Sequence, residues 1–127
     1  MGILLDTAAI IWIATDETKL SDAALAAYRD RSNSAFISVV SIWEMLVKNR
    51  LGKLPLPSPI PELLGPLRAH GVSTLSLTES AVLRVSGLPD IHRDPFDRML
   101  ICQALDEGLS IVTPDYPIQS YPVSTIW

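Results

Sequence analysis

Short apolar runs separated by helix-length segments dominate this sequence, and that alternation leaves few ways to fold it. Gly2 to Leu5, Ala35 to Val39, Val72 to Leu77 and Leu109 to Thr113 read as strands, with Val123 to Trp127 as a weaker fifth. Between them lie helix signals. Ser21 caps a segment through Arg31 that is rich in Ala, the residue with the best helix propensity. Ser41-Ile42-Trp43-Glu44 has capping-box spacing and predicts a helix reaching Leu51, with Gly52 as its stop. Thr78 opens another, ending at Ser86 before Gly87. Asp94-Pro95 begins a longer one, because proline at the first helical position forgoes an N–H that has no partner there. It runs to about Glu107 and stops at Gly108. Strands alternating with helices make βαβ units, whose right-handed crossovers cover both faces of a parallel sheet. The fold class is therefore α/β: a three-layer α/β/α sandwich around a central, mainly parallel sheet of four to five strands.

At 127 residues, the chain is sized for a single domain, residues 1–127, since single cores commonly hold roughly 100–150 residues. The proline-alternating stretch Leu54 to Pro61 is extended and too short to divide two cores, so it reads as a surface connection. Ten Lys+Arg against fourteen Asp+Glu give a net charge of −4. That excludes holding nucleic acid by bulk positive charge, but not meeting phosphate through a bound cation. The lone Cys102 rules out an intrachain disulfide and a Cys-based zinc site, and a reducing, cytoplasmic setting is expected. Asp6 interrupts the apolar N-terminus with no Lys or Arg before it, so an export signal is not expected. No apolar run approaches the ~18 residues of a membrane span.

In open α/β sheets, chemistry gathers at the carboxyl ends of the strands. Asp6 directly follows the first strand, and Asp115 follows the fourth by two positions. Glu44 lies in the first turn of the helix after the second strand. Asp97 heads a core-facing stripe of Ile101, Ala104 and Leu105 at helical spacing. Four acids from distant parts of the chain are thus expected to converge, and their pKa values to rise together. Carboxylates at close range without His or Cys suit a hard divalent cation, Mg²⁺ or Mn²⁺. Such an ion holds a phosphate oxygen and lowers the pKa of a bound water, which points to phosphodiester hydrolysis.

Leu4-Leu5-Asp6-Thr7, Ser41-Ile42-Trp43-Glu44, His92-Arg93-Asp94-Pro95-Phe96-Asp97-Arg98 and Val112-Thr113-Pro114-Asp115 occur in an order and spacing that resembles the PIN-domain ribonucleases, specifically the VapC-like toxins. The resemblance covers nearly the whole chain. It implies a metal-dependent endoribonuclease acting on RNA, usually a homodimer, inhibited by a cognate antitoxin protein. Asp6, Glu44 and Asp97 match the three core acids, Asp115 the more variable fourth, and Thr113 a hydroxyl position beside them. One position departs: close relatives often carry His directly after Asp-Thr, where this chain has Ala8.

Plainer readings compete at several of these residues. Glu44 also completes a capping box with Ser41 or pairs with Lys48 one turn on. Asp97 also suits a bond back toward Asp94, and Asp115 suits a turn. Asp94 reads as an N-cap and not a ligand. Cys102 reads as a buried small hydrophobe, and Trp12, Trp43 and Trp127 as core or interface. Lys48, Arg50, Lys53, Arg93 and Arg98 are available to steer a phosphate backbone, with Thr113, Arg98 and Lys48 the nearest candidates for substrate contact. Trp43, Leu46, Val47, Leu63, Leu64 and Leu67 exceed what one small core absorbs, so some should form a docking surface. The His-Arg-Asp triplet lacks the length and Gly-rich loop of a kinase. A phosphorylated receiver needs an acidic pair and a Lys that are missing, and a dehalogenase-type phosphatase needs an acid at Ala8. A catalytically inactive module of the same fold that only binds a partner remains the alternative.

Overall fold

A computed structural model describes residues 1–127. The strands are β1 (Gly2–Leu5), β2 (Ser34–Ser38), β3 (Ser73–Leu75), β4 (Ser110–Val112) and β5 (Thr125–Ile126). The helices are α1 (Thr7–Thr15), α2 (Asp22–Arg29), α3 (Val39–Arg50), α4 (Ile60–Leu63), α5 (Gly65–Ala69), α6 (Glu79–Leu83), α7 (Pro95–Glu107) and α8 (Tyr116–Gln119). One sheet of order β3-β2-β1-β4-β5 contains all five strands, every pair parallel. The expected α/β/α sandwich is what forms.

Side chains alternate across the sheet, and the register makes two cores from that alternation. Leu5 pairs with Ile37 and Val112, and these join Ile3 in one core with Ala9, Ile10 and Ile13 of α1, Met45 of α3 and Leu63 and Leu67 of α4 and α5. Leu4, paired with Phe36 and Ile111, faces the other core with Leu100, Ile101, Cys102 and Ala104 of α7 and Ile118 of α8. Cys102 is buried, as its apolar setting predicts. No helix is long and apolar enough to cross a membrane.

Two helix starts match their sequence signals closely. Ser21 accepts from Ala24 N at 3.1 Å. Asp94 accepts from Phe96 N and Asp97 N, Pro95 takes the first turn, and Gly108 closes α7 at φ +67°. The start of α3 differs from expectation. Its cap is Ser38, whose Oγ accepts from Val40 N at 3.0 Å and donates to the buried Gln103 Oε1. The strand turns into the helix without a loop, so the last residue of β2 takes the cap. Ser41 lies inside α3 with its hydroxyl buried and unpartnered, and the Ser41–Glu44 capping box does not form. The helix opened by Thr78 is also shorter, passing into a 3₁₀ turn at Arg84–Gly87. In the proline-rich connection Leu54 and Leu56 turn inward against the first core, while Pro55 and Pro57 stay exposed.

Candidate metal centre

The sheet order reverses around β1, whose neighbours are β2 on one side and β4 on the other, and the crevice beyond the strand ends opens there. Asp6 is the first residue past β1, and its N–H donates to Val112 O of β4 at 3.1 Å. Its Oδ1 accepts from Ala9 N at 2.8 Å, capping α1. The Thr113 hydroxyl hydrogen-bonds to the same carboxylate. Thr113 also accepts from the backbone N–H of Asp115 at 3.0 Å, fixing the turn that carries that acid. Glu44, one and a half turns into α3, receives Thr7 Oγ1 at 2.5 Å on Oε1 and Lys48 Nζ at 2.5 Å on Oε2. Lys48 Nζ also lies 3.9 Å from Asp94 Oδ2. Asp97 stands in the first turn of α7 with Oδ2 3.2 Å from His92 Nε2.

These groups share one depression of about 450 Å³ at the carboxyl edge of the sheet. Asp6, Glu44, Asp94, Asp97 and Asp115 line it with Lys48, and Ala8, Ile11, Trp12 and Leu54 form its apolar flank. All four acids singled out from sequence are therefore brought together. The fifth, Asp94, combines two duties. Its Oδ1 caps α7 as expected, while its carboxylate joins Glu44 and Asp97, each of the three offering an oxygen within 4.8 Å of the others. An all-oxygen set of this kind fits a hard divalent cation, and a lysine ammonium already bridges two of its members.

The electrostatics follow from burial and crowding. Asp6 is 4% exposed, and its pKa is pushed up to about 6, chiefly by burial. The hydrogen bonds from Thr113 and Ala9 oppose that rise, and the charges of Asp115 and Glu44 add to it. Asp97 is pushed up to about 7, by burial first and then by Asp94, with the His92 hydrogen bond opposing. Desolvation outweighs the mutual repulsion anticipated from sequence. Lys48 lies above its ordinary value: burial lowers it, but Glu44, Asp94 and Asp97 more than compensate.

The three residues picked for substrate contact divide. Lys48 lines the depression, one-third exposed. Thr113 is fully buried and touches the acids, so it has no surface to offer a substrate. Arg98 does not line the depression. Its Nη1 is spent on Pro89 O at 2.8 Å and Tyr121 Oη at 2.9 Å, and its Nη2 reaches Asp90. It follows Asp97 on a helix, so the two side chains leave about 100° apart. Thr7 and His92 hold Glu44 and Asp97, yet neither was singled out from sequence. Thr7 sits in the quoted Asp-Thr pair, while His92 lies in a loop where no periodicity marks its direction.

The PIN domain family matches residues 3–122. Ribonuclease VapC22 of Mycobacterium tuberculosis is 28% identical over 130 residues, covering 98% of both chains. In solved structures, a chain of VapBC2 from Rickettsia felis bound to a DNA fragment from their promoter superposes with a TM-score of 0.73 at 13% identity, covering 98% of this chain and 97% of that one. A chain of DNA-bound VapBC from Salmonella typhimurium gives 0.68 at 17% identity, covering 98% and 96%. The chain belongs to the PIN domain family.

Proposed function

We propose that this chain is a divalent-metal-dependent endoribonuclease that hydrolyses RNA phosphodiester bonds and serves as the toxin of a toxin–antitoxin pair. The observation that carries the reading is the convergence of five carboxylates from four segments of the chain on one depression at the sheet's carboxyl edge. A relative named as a ribonuclease and a shared fold with VapBC complexes support it.

In this reading Glu44, Asp94 and Asp97 hold Mg²⁺ or Mn²⁺, with Asp6 and Asp115 flanking them. A divalent cation held there would supply polarisation of a phosphoryl oxygen and a more acidic water. Asp6, which lines the same depression with one oxygen spent on the Ala9 N–H, would be placed to accept a proton from an attacking water. Thr113 meets the Asp6 carboxylate and the backbone of Asp115, and Thr7 keeps Glu44 from turning away. Lys48 presents positive charge to the RNA backbone at the rim of an otherwise acidic pocket.

On α3, Trp43 (61% exposed), Leu46 (55%) and Val39 (37%) form an apolar stripe, whereas Leu63, Leu64 and Leu67 are buried. We assign the stripe to a homodimer contact, leaving other surface for the antitoxin.

The test is cleavage of RNA by purified protein with Mg²⁺ or Mn²⁺ and with chelator, alongside Asp97→Asn. Cleavage should require the ion and vanish in the variant. Cleavage that persists in chelator overturns the metal assignment. No cleavage with either ion, while the antitoxin still binds, favours the inactive binding module, against which the intact carboxylate set argues.

A further inference from the structure

Next to Asp97, three side chains that do not line the depression form a row that the proposed chemistry does not use. Arg98 Nη1 lies 2.9 Å from Tyr121 Oη, Tyr121 Oη 2.8 Å from His92 Nδ1, and His92 Nε2 3.2 Å from Asp97 Oδ2. Tyr121 is almost fully buried, and its ring packs edge-on to the imidazole at 5.3 Å. A phenolic oxygen has two lone pairs and one hydrogen. Arg98 Nη1–H fills one lone pair and His92 N–H, at 3.2 Å, fills the other. The hydroxyl hydrogen must then go outward. Its 2.8 Å contact with Nδ1 is much shorter than the 3.4 Å contact with the His92 carbonyl. Nδ1 is therefore an acceptor, and the ring's one N–H sits on Nε2, where it donates to Asp97.

We infer that His92 is a positioning residue whose tautomer is set by Tyr121 and Arg98, so that it orients the Asp97 carboxylate toward the cation. The inference rests on the metal reading above and adds a device to it: orientation of a ligating carboxylate by an outer hydrogen bond. It also explains Arg98, whose charge tethers the loop from Pro89 to His92 and points Tyr121's hydrogen at the ring.

The experiment measures Mn²⁺ binding by titration calorimetry, without RNA, on wild type, Asp97→Asn, His92→Ala, His92→Gln, Tyr121→Phe and the double variant carrying both His92→Gln and Tyr121→Phe, with circular dichroism to confirm folding. Wild type should bind and Asp97→Asn should not. His92→Ala should weaken binding roughly 10–100-fold, the range for loss of such an outer partner. His92→Gln, which keeps an N–H donor but has no tautomer to set, should recover most of that. Tyr121→Phe should weaken binding in the His92 protein and change little in the His92→Gln protein. Long-range ¹⁵N correlation spectra should show the His92 hydrogen on Nε2 in wild type and a mixture in Tyr121→Phe. If wild type takes up no Mn²⁺, the metal reading falls and this inference with it. If wild type binds and His92→Ala binds as tightly, or the hydrogen is on Nδ1, the positioning role alone is overturned. Should His92→Ala not fold, His92→Gln and Tyr121→Phe carry the same contrast.

Discussion

Asp6→Asn should make the metal-free protein more stable, and the size of the gain follows from the burial of one carboxylate. Raising a group from its ordinary 3.8 to about 6 corresponds to about 3 kcal/mol of destabilisation once it ionises, at roughly 1.4 kcal/mol per pKa unit. The sign is fixed by linkage. Between about 3.8 and 6 the folded chain binds this proton more tightly than the unfolded one, so the penalty is complete above pH 6 and is relieved as pH falls. Asparagine removes the charge but still accepts the Ala9 N–H, and at a helix N-cap it serves as well as aspartate. The expected gain is therefore about 3 kcal/mol at pH 8, or on the order of 10 °C in melting temperature for a chain of this size. At pH 4.5 it should shrink to about 1 kcal/mol, because the wild-type carboxyl is then protonated in the fold. The assay is thermal melting followed by circular dichroism, in chelator, at both pH values. A gain of equal size at the two pH values, or a loss at pH 8, would refute burial of an ionised Asp6 as the origin.

Other outcomes follow from the same contacts. In excess Mn²⁺ the wild type should gain about 2.7 kcal/mol at a hundredfold excess over the dissociation constant, and Asp97→Asn should lose most of that; parallel melts with and without the ion check it. Lys48→Met removes the counter-charge from the buried Glu44 and should cost roughly 1–3 kcal/mol, discounted from the buried-pair range because the lysine is one-third exposed. A divalent ion replaces that charge, so the melting gain on adding Mn²⁺ should be larger in Lys48→Met than in wild type. Gly108→Ala places a Cβ at φ +67° in open space, so only backbone strain acts, and denaturant titration should show a loss of about 1 kcal/mol. Trp43→Glu should convert a dimer to a monomer in light scattering; a monomeric wild type refutes the assignment of that face.

What the sequence disclosed depended on whether a feature was local. The bounds of α7 were legible because cap, proline and terminal glycine all act within a turn of the residues they define. The strands were legible at their centres and blurred at their ends, where pairing with a neighbour decides which residues count. The helix α1 was not recognised, because Ile10, Ile11, Trp12 and Ile13 are apolar around the whole helix and leave no amphipathic period. Its cap is Asp6, whose place at the end of β1 marks it equally as a site acid. The four acids were legible because strand ends are where an α/β fold collects them. The direction of Arg98 was legible in principle from its place next to Asp97, whereas the second oxygen of Asp94 and the reach of Tyr121 to His92 are contacts between segments and leave no mark on local pattern.

Five carboxylates crowded into one depression ought to weaken a small fold, and the structure shows how it carries them. Two of the five do structural work with one oxygen while the carboxylate still lines the depression. Asp6 caps α1 through Oδ1, and Asp94 caps α7 through Oδ1. Both helices thus begin at the site, and the partial positive charge at their N-termini offsets negative charge that has little water around it. Glu44, too far along α3 to be capped, has Thr7 and Lys48 on its two oxygens instead. Burial still raises the pKa of Asp6 to about 6 and that of Asp97 to about 7. Those are the positions where a cation or a proton gains most by arriving. The caps that start the helices thus also keep the carboxylates assembled at the sheet's edge.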